Sequence, residues 1–96
     1  MKLVFDERAL ADLEGIYNWI AKDNPKAAFA VVERLFESAE HLARFPRMGH
    51  VGRDDGTFEW PVPRLPYIVV YEIHHERDQI VVVAVVHGAQ DREEEK

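Results

Sequence analysis

His87 is the residue of this 96-residue chain best suited to move a proton near neutral pH. Cleaving RNA without a metal requires a base for the 2′-hydroxyl, cations for the phosphorane charge and an acid for the leaving oxygen. If the chain does such chemistry, His87 is the candidate acid or base, and Arg53 and Arg64, with Arg47 beside them, are the candidate cations. The plainer reading of His87 is a polar residue that ends a strand and bonds backbone. Tyrosine and lysine are sparse where an RNA-cleaving face would use them: no tyrosine follows Tyr71, and no lysine lies between Lys26 and Lys96. His74, His75, Glu76 and His87 match no compact metal-ligand spacing. Adjacent residues of an extended segment point to opposite faces, so His74 and His75 read as a solvated turn and no metal or cofactor is expected.

A second group of residues suits binding rather than catalysis. Phe58 and Trp60 are two apart, so they share one face of a strand. They form either a core face or a hydrophobic patch. Trp60, on an edge strand bounded by proline, either docks a partner strand or packs on a helix. Arg44, Arg47, His50, Arg53 and Arg64 make the most basic part of the chain. Arg47 and Arg53 could meet a phosphate backbone or an acidic partner, or belong to an ordinary solvated loop. The total charge argues against nucleic acid as the main ligand: 12 basic against 18 acidic side chains leave −6.

The elements that must position these residues follow from periodicity. Leu3-Val4-Phe5 reads as a strand. Asp6 is a good N-cap, and Leu10, Leu13, Tyr17 and Ile20, with Ala9 and Ile16 beside them, predict a helix from about Glu7 to Lys22. Trp19, beside that stripe, is expected in the core or in hairpin packing. Asp23-Asn24-Pro25 breaks the helix and starts another, with Asn24 as cap and Pro25 in the first turn. Ala28, Val31, Val32, Leu35, Ala39 and Leu42 form its apolar stripe, Glu37–His41 and Glu40–Arg44 are spaced to pair, and Pro46 ends it. Residues 46–56 read as an exposed loop. Thr57 to Val62 is an edge strand interrupted by proline, Tyr67 to Ile73 a strong strand, His74 to Asp78 a turn, and Ile80 to Val86 a β-branched strand covered on both faces. The expected fold class is α+β, in the order β-α-α-β-β-β, with a helical hairpin on a mainly antiparallel sheet. One domain spans 1–90, followed by a charged tail, 91–96.

Without cysteine there are no disulfides or thiolate metal sites. No apolar run is long enough to span a membrane, and Met1-Lys2-Leu3-Val4-Phe5-Asp6 does not read as a signal peptide, so a cytoplasmic location is expected.

In this order the segments resemble the RelE/ParE toxin superfamily. The likeness is carried by 11–21 (ADLEGIYNWIA), 23–28 (DNPKAA), 45–49 (FPRMG) with Gly52-Arg53, 65–71 (LPYIVVY) and 85–89 (VVHGA), across nearly the whole chain. The resemblance implies the toxin of a type II toxin–antitoxin system, forming a heteromer with a cognate antitoxin. Its ParE branch is linked to inhibition of DNA gyrase, its RelE branch to cleavage of mRNA on the ribosome. The acidic charge and the sparse lysine and tyrosine favour the ParE-like inhibitor over the nuclease. ParE-like relatives carry arginine in Gly-Thr-Arg-Glu and His-Gly-Ala-Arg-Asp segments. Here these read Gly56-Thr57-Phe58-Glu59 and His87-Gly88-Ala89-Gln90-Asp91. Phe58 and Gln90 remove two cations, which opens a third reading: a protein that keeps the toxin fold and its partner but not the toxic act.

Overall fold

The computed structural model describes residues 1–88. Its elements are β1 (Lys2–Phe5), α1 (Glu7–Ala21), α2 (Pro25–Arg44), β2 (His50–Val51), β3 (Phe58–Pro61), β4 (Tyr67–His74) and β5 (Gln79–His87). Gln90 and the tail 91–96 lie outside the described residues. Both helices start where the caps predict. The Asp6 carboxylate accepts the Ala9 N–H at 3.0 Å, and the Asn24 side chain accepts the Ala27 N–H at 3.1 Å. Each cap satisfies a donor that the first helical turn leaves free.

The strands form one sheet in the order β1-β5-β4-β3-β2. β1 runs parallel to β5, and the other neighbours are antiparallel. The α+β reading and its mainly antiparallel sheet are therefore correct. The helices pack on one face, over a core that includes Leu13, Leu35, Leu42, Val69, Tyr71, Ile80 and Val82. Several expectations are corrected in detail. β2 lies within the segment read as a loop. It has only two residues and exists through pairing with Phe58 and Glu59 of β3. β3 is consequently an edge strand only over Trp60 and Pro61. Val62 N–H bonds the Tyr67 carbonyl, so by antiparallel alternation the Pro61 nitrogen points away from β4, where no ladder bond is lost.

On α1 the buried residues are Ala9 and Leu13, while Leu10 is 50% and Tyr17 37% exposed. The apolar stripe is wider than the buried one, and half of it turns away from the sheet. Trp19, expected in packing, is 69% exposed and lies under the Lys22 ammonium, 5.1 Å from its ring centroid. Glu37–His41 and Glu40–Arg44, although spaced to pair, form no ion pair among the described residues.

β5 is flanked by β1 and β4, but the helices cover one of its faces only. Its β-branched run, interrupted only by Ala84, conceals a bulge. Val70 pairs with Ala84 and Tyr71 with Val82, leaving Val83 unpaired. The extra residue shifts the parity, so Val82 and Val85 both serve the helix-covered face.

Candidate functional site

The sheet register assigns each candidate to a face. Phe58 pairs with Tyr71 and Tyr71 with Val82; Trp60 pairs with Val69 and Val69 with Val85; Tyr67 pairs with His87. These residues share the helix-covered face. Glu59 pairs with Val70 and Val70 with Ala84, and Ile68 pairs with Val86. Those lie on the opposite face.

His87 therefore sits on the helix side, where β5 outruns β1. Phe5, the last residue of β1, pairs with Val82, so the β5 backbone beyond Val82 has no strand on that edge. α1 supplies the missing acceptor: the Asp12 carboxylate takes the Val85 N–H at 2.9 Å and lies 3.7 Å from the Arg8 guanidinium. This bond holds α1 beside the end of β5. A cleft of about 560 Å³ opens there, lined by Ala11, Asp12, Gly15, Ile16, Trp19, Tyr67, Val85 and His87. The His87 ring meets Tyr67 edge-on at 5.7 Å. Its Nδ1 is buried and has no hydrogen-bond partner among the described residues.

Arg53 belongs to the other face. Its backbone N–H donates to Glu59 Oε2 at 3.2 Å, and His50 Nε2 lies 3.8 Å from Glu59 Oε1. Glu59 is a buried acid, 6% exposed, surrounded by donors from the loop and β2. Arg53 and Glu59 line a cleft of about 260 Å³ with Thr57, Val70, Ala84 and Val86. The sheet separates this cleft from His87. Arg64 occupies a third place, exposed in the turn between β3 and β4 with φ 69°. Arg47 lies at the far end of β4, in a cleft of about 450 Å³ with Phe45, Ile73 and His75. Arg53 lies across the sheet from His87 and Arg47 at the far end of β4, whereas the turn that holds Arg64 adjoins the His87 end of the sheet, where the Gly88 N–H donates to the Pro66 carbonyl at 2.8 Å.

Phe58 and Trp60 share the helix-covered face. Phe58 stacks on Tyr71 with ring centroids 5.6 Å apart. Trp60 is half-buried and lines a cleft of about 580 Å³ with α2 residues Arg34, Ser38, His41 and Arg44. Of its two readings, packing along the second helix is the one the geometry displays. Tyr71 anchors the segment between α2 and β2: its hydroxyl donates to the Pro46 carbonyl at 2.6 Å and accepts the Gly49 N–H at 3.1 Å. Burial pushes the Tyr71 hydroxyl above its ordinary value of 10.0, and the Gly49 bond acts in the opposite direction. Among the described residues no three His, Asp or Glu side chains are grouped to hold a metal ion. His74 Nε2 instead lies 2.7 Å from Glu72 Oε1.

Sequence reasoning missed Asp12, Trp19 and Tyr67 as neighbours of His87. One signal was available: a four-residue β1 beside a nine-residue β5 leaves an edge that needs a side-chain acceptor.

Comparison with known proteins agrees with this architecture. The model of the family described as "ParE toxin of type II toxin-antitoxin system, parDE" matches residues 3–92. The Sinorhizobium fredii protein Y4kP, whose name marks it as a candidate toxin, is 36% identical over 83 residues, covering 86% of this chain and 83% of that protein. Toxin RelE2 of Caulobacter vibrioides is 33% identical over 89 residues, covering 92% and 96%. Among solved structures, a chromosomal ParDE system from P. aeruginosa superposes with a TM-score of 0.79 at 20% identity, covering 91% of this chain and 95% of that one. No helix among the described residues is long and apolar enough to cross a membrane.

Proposed function

This chain belongs to the ParE toxin family of type II toxin–antitoxin systems, and on that premise we propose that it inhibits DNA gyrase by protein–protein contact in the cytoplasm. A cognate antitoxin is its partner and holds it inactive. The observation that carries this reading is the separation of Arg53 from His87 by the sheet. His87 lies on the helix-covered face, Arg53 on the opposite face and Arg64 in an exposed turn. A phosphorane needs its acid, base and cations within hydrogen-bond reach of one reacting centre. A net charge of −6 adds repulsion toward RNA. An inhibitor that acts by contact needs neither convergence nor basic charge. In this reading Trp60, through the open side of its cleft on α2, and Arg47 and Arg53 are the partner-facing candidates, while Phe58 packs inward on Tyr71.

Induced expression without antitoxin tests the proposal. Growth arrest with relaxed plasmid DNA and intact mRNA is expected, and His87→Ala leaves all three unchanged. A RelE-like ribosome-dependent endonuclease is the second reading, favoured by the likeness to a protein named RelE2. It requires codon-phased mRNA cuts that His87→Ala abolishes. A third reading, a toxin fold without toxicity, draws on Phe58, whose ring stacks inward on Tyr71 where relatives present an arginine. Clear growth arrest rules it out.

A further inference from the structure

Arg44, Arg47 and His75 come from three separate segments and meet at one cleft. Arg44 closes the last turn of α2, Arg47 follows in the loop, and His75 opens the short 3-10 turn between β4 and β5. Between them Phe45, Pro46, Met48 and Ile73 give this cleft of about 450 Å³ a largely apolar lining. Phe45 is 54% exposed, with its ring 5.0 Å from that of His41. The loop that carries these side chains is already fixed. The Tyr71 hydroxyl donates to the Pro46 carbonyl at 2.6 Å and accepts the Gly49 N–H at 3.1 Å, and the Met48 N–H donates to the Phe45 carbonyl at 3.1 Å. Little backbone ordering is left for a ligand to impose.

The charges around the cleft are of one sign. Arg44, Arg47 and His75 form no ion pair among the described residues. No acid lines the cleft. Glu40 lines the neighbouring cleft with Trp60. Glu72 lies on the opposite face of β4, 2.7 Å from His74 Nε2. Glu76 and Asp78 share the turn with His75 but line no part of the cleft. The carbonyl end of α2 opposes an anion here, yet two of its last acceptors are occupied. The Met1 nitrogen donates to the Ala43 carbonyl at 3.1 Å, and the Phe45 N–H to the His41 carbonyl at 2.9 Å. A basic, apolar hollow thus stands in a chain whose net charge is −6.

We propose that this cleft binds a small organic acid, with a carboxylate or phosphate head among Arg44, Arg47 and His75 and an apolar body on Phe45, Met48 and Ile73. Guanidinium forks match the paired oxygens of such a head. A thioether and an exposed ring adapt to a flexible hydrocarbon. The volume is that of a small-molecule site. A second copy of the chain presenting the same hollow would set these cations against their own kind. The proposal assigns Arg47 to this cleft whichever cellular target the toxin has.

The test titrates the full chain with octanoate, octyl phosphate, octylammonium and inorganic phosphate, followed by amide chemical shifts. Octanoate and octyl phosphate are expected to shift residues 44–48, Ile73 and His75 at millimolar concentration. Both should bind at least about tenfold more tightly than octylammonium, which has the wrong charge, or inorganic phosphate, which has no apolar body. The tighter of the two names the preferred head, and salt should weaken both. Arg47→Gln and Phe45→Ser, at exposed positions, should each weaken octanoate at least about fivefold, with unchanged amide spectra away from the cleft verifying their fold. Equal binding of octylammonium, shifts centred outside the cleft, no shift at millimolar concentration, or unchanged affinity in Arg47→Gln overturns the proposal. So does a glutamate-rich peptide that fills the cleft at lower concentration than octanoate, because a protein segment is then its occupant.

Discussion

Removing one oxygen from Tyr71 should destabilise this fold measurably while leaving its core packing in place. Tyr71 is fully buried, and its hydroxyl both donates to the Pro46 carbonyl at 2.6 Å and accepts the Gly49 N–H at 3.1 Å. Tyr71→Phe keeps the ring on Phe58 but removes the partner of two part-buried backbone groups. Leaving buried groups unsatisfied costs about 1–3 kcal/mol, with the lower end applying if a water enters. In urea, with a slope of about 1 kcal/mol per molar for a small domain, the midpoint should fall by about 1–3 M and the slope should not change. The substitution also alters the pH dependence. Burial holds the Tyr71 hydroxyl above 10.0 in the folded chain. As pH rises past that value, the unfolded chain loses this proton before the folded chain does. The contribution is fully present below the unfolded value and is lost as pH climbs through the folded one. Tyr71→Phe lacks that decline, so the two proteins should converge in stability at alkaline pH. A loss under about 0.5 kcal/mol at neutral pH, or parallel pH profiles, refutes the anchoring role.

Three further outcomes follow from the same contacts. Gly49→Ala places a Cβ 2.5 Å from the Tyr71 hydroxyl and 2.8 Å from the Glu59 carbonyl, so it should lower the thermal midpoint. In calorimetry Tyr71→Phe should rescue only part of that loss, because the backbone clash remains. Asp12→Ala orphans the Val85 N–H and should cost about 1–3 kcal/mol by denaturant unfolding, with faster hydrogen exchange at Val85. Trp19→Ala removes an exposed ring and should change stability by no more than about 0.5 kcal/mol in the same assay.

Where local chemistry decides the structure, the sequence was readable. Asp6 and Asn24-Pro25 start their helices because a cap depends only on near neighbours. The order of helices and strands, and the α+β class, follow from periodicity that the structure reproduces. What escaped depends on pairing at long range. β2 is created by β3, and the Val83 bulge resets which face Val85 joins. Trp19 and Leu10 are apolar, yet burial also depends on which helix flank meets the sheet. The candidate site suffered most from this. His87, Arg53 and Arg64 look compatible in a list of residue types, but sheet parity puts His87 and Arg53 on opposite faces. The Asp12 bond to Val85 joins residues far apart in the chain, so only a comparison of strand lengths hinted at it.

The central claim is inhibition of gyrase by contact, without chemistry by the chain itself. Titrating the purified chain into a gyrase supercoiling reaction tests it most directly, with a ribosome-bound mRNA cleavage reaction run in parallel. Supercoiling should fall with increasing protein, His87→Ala should inhibit equally well, and the mRNA should stay intact. Unimpaired supercoiling together with codon-phased mRNA cuts that His87→Ala abolishes would contradict the account.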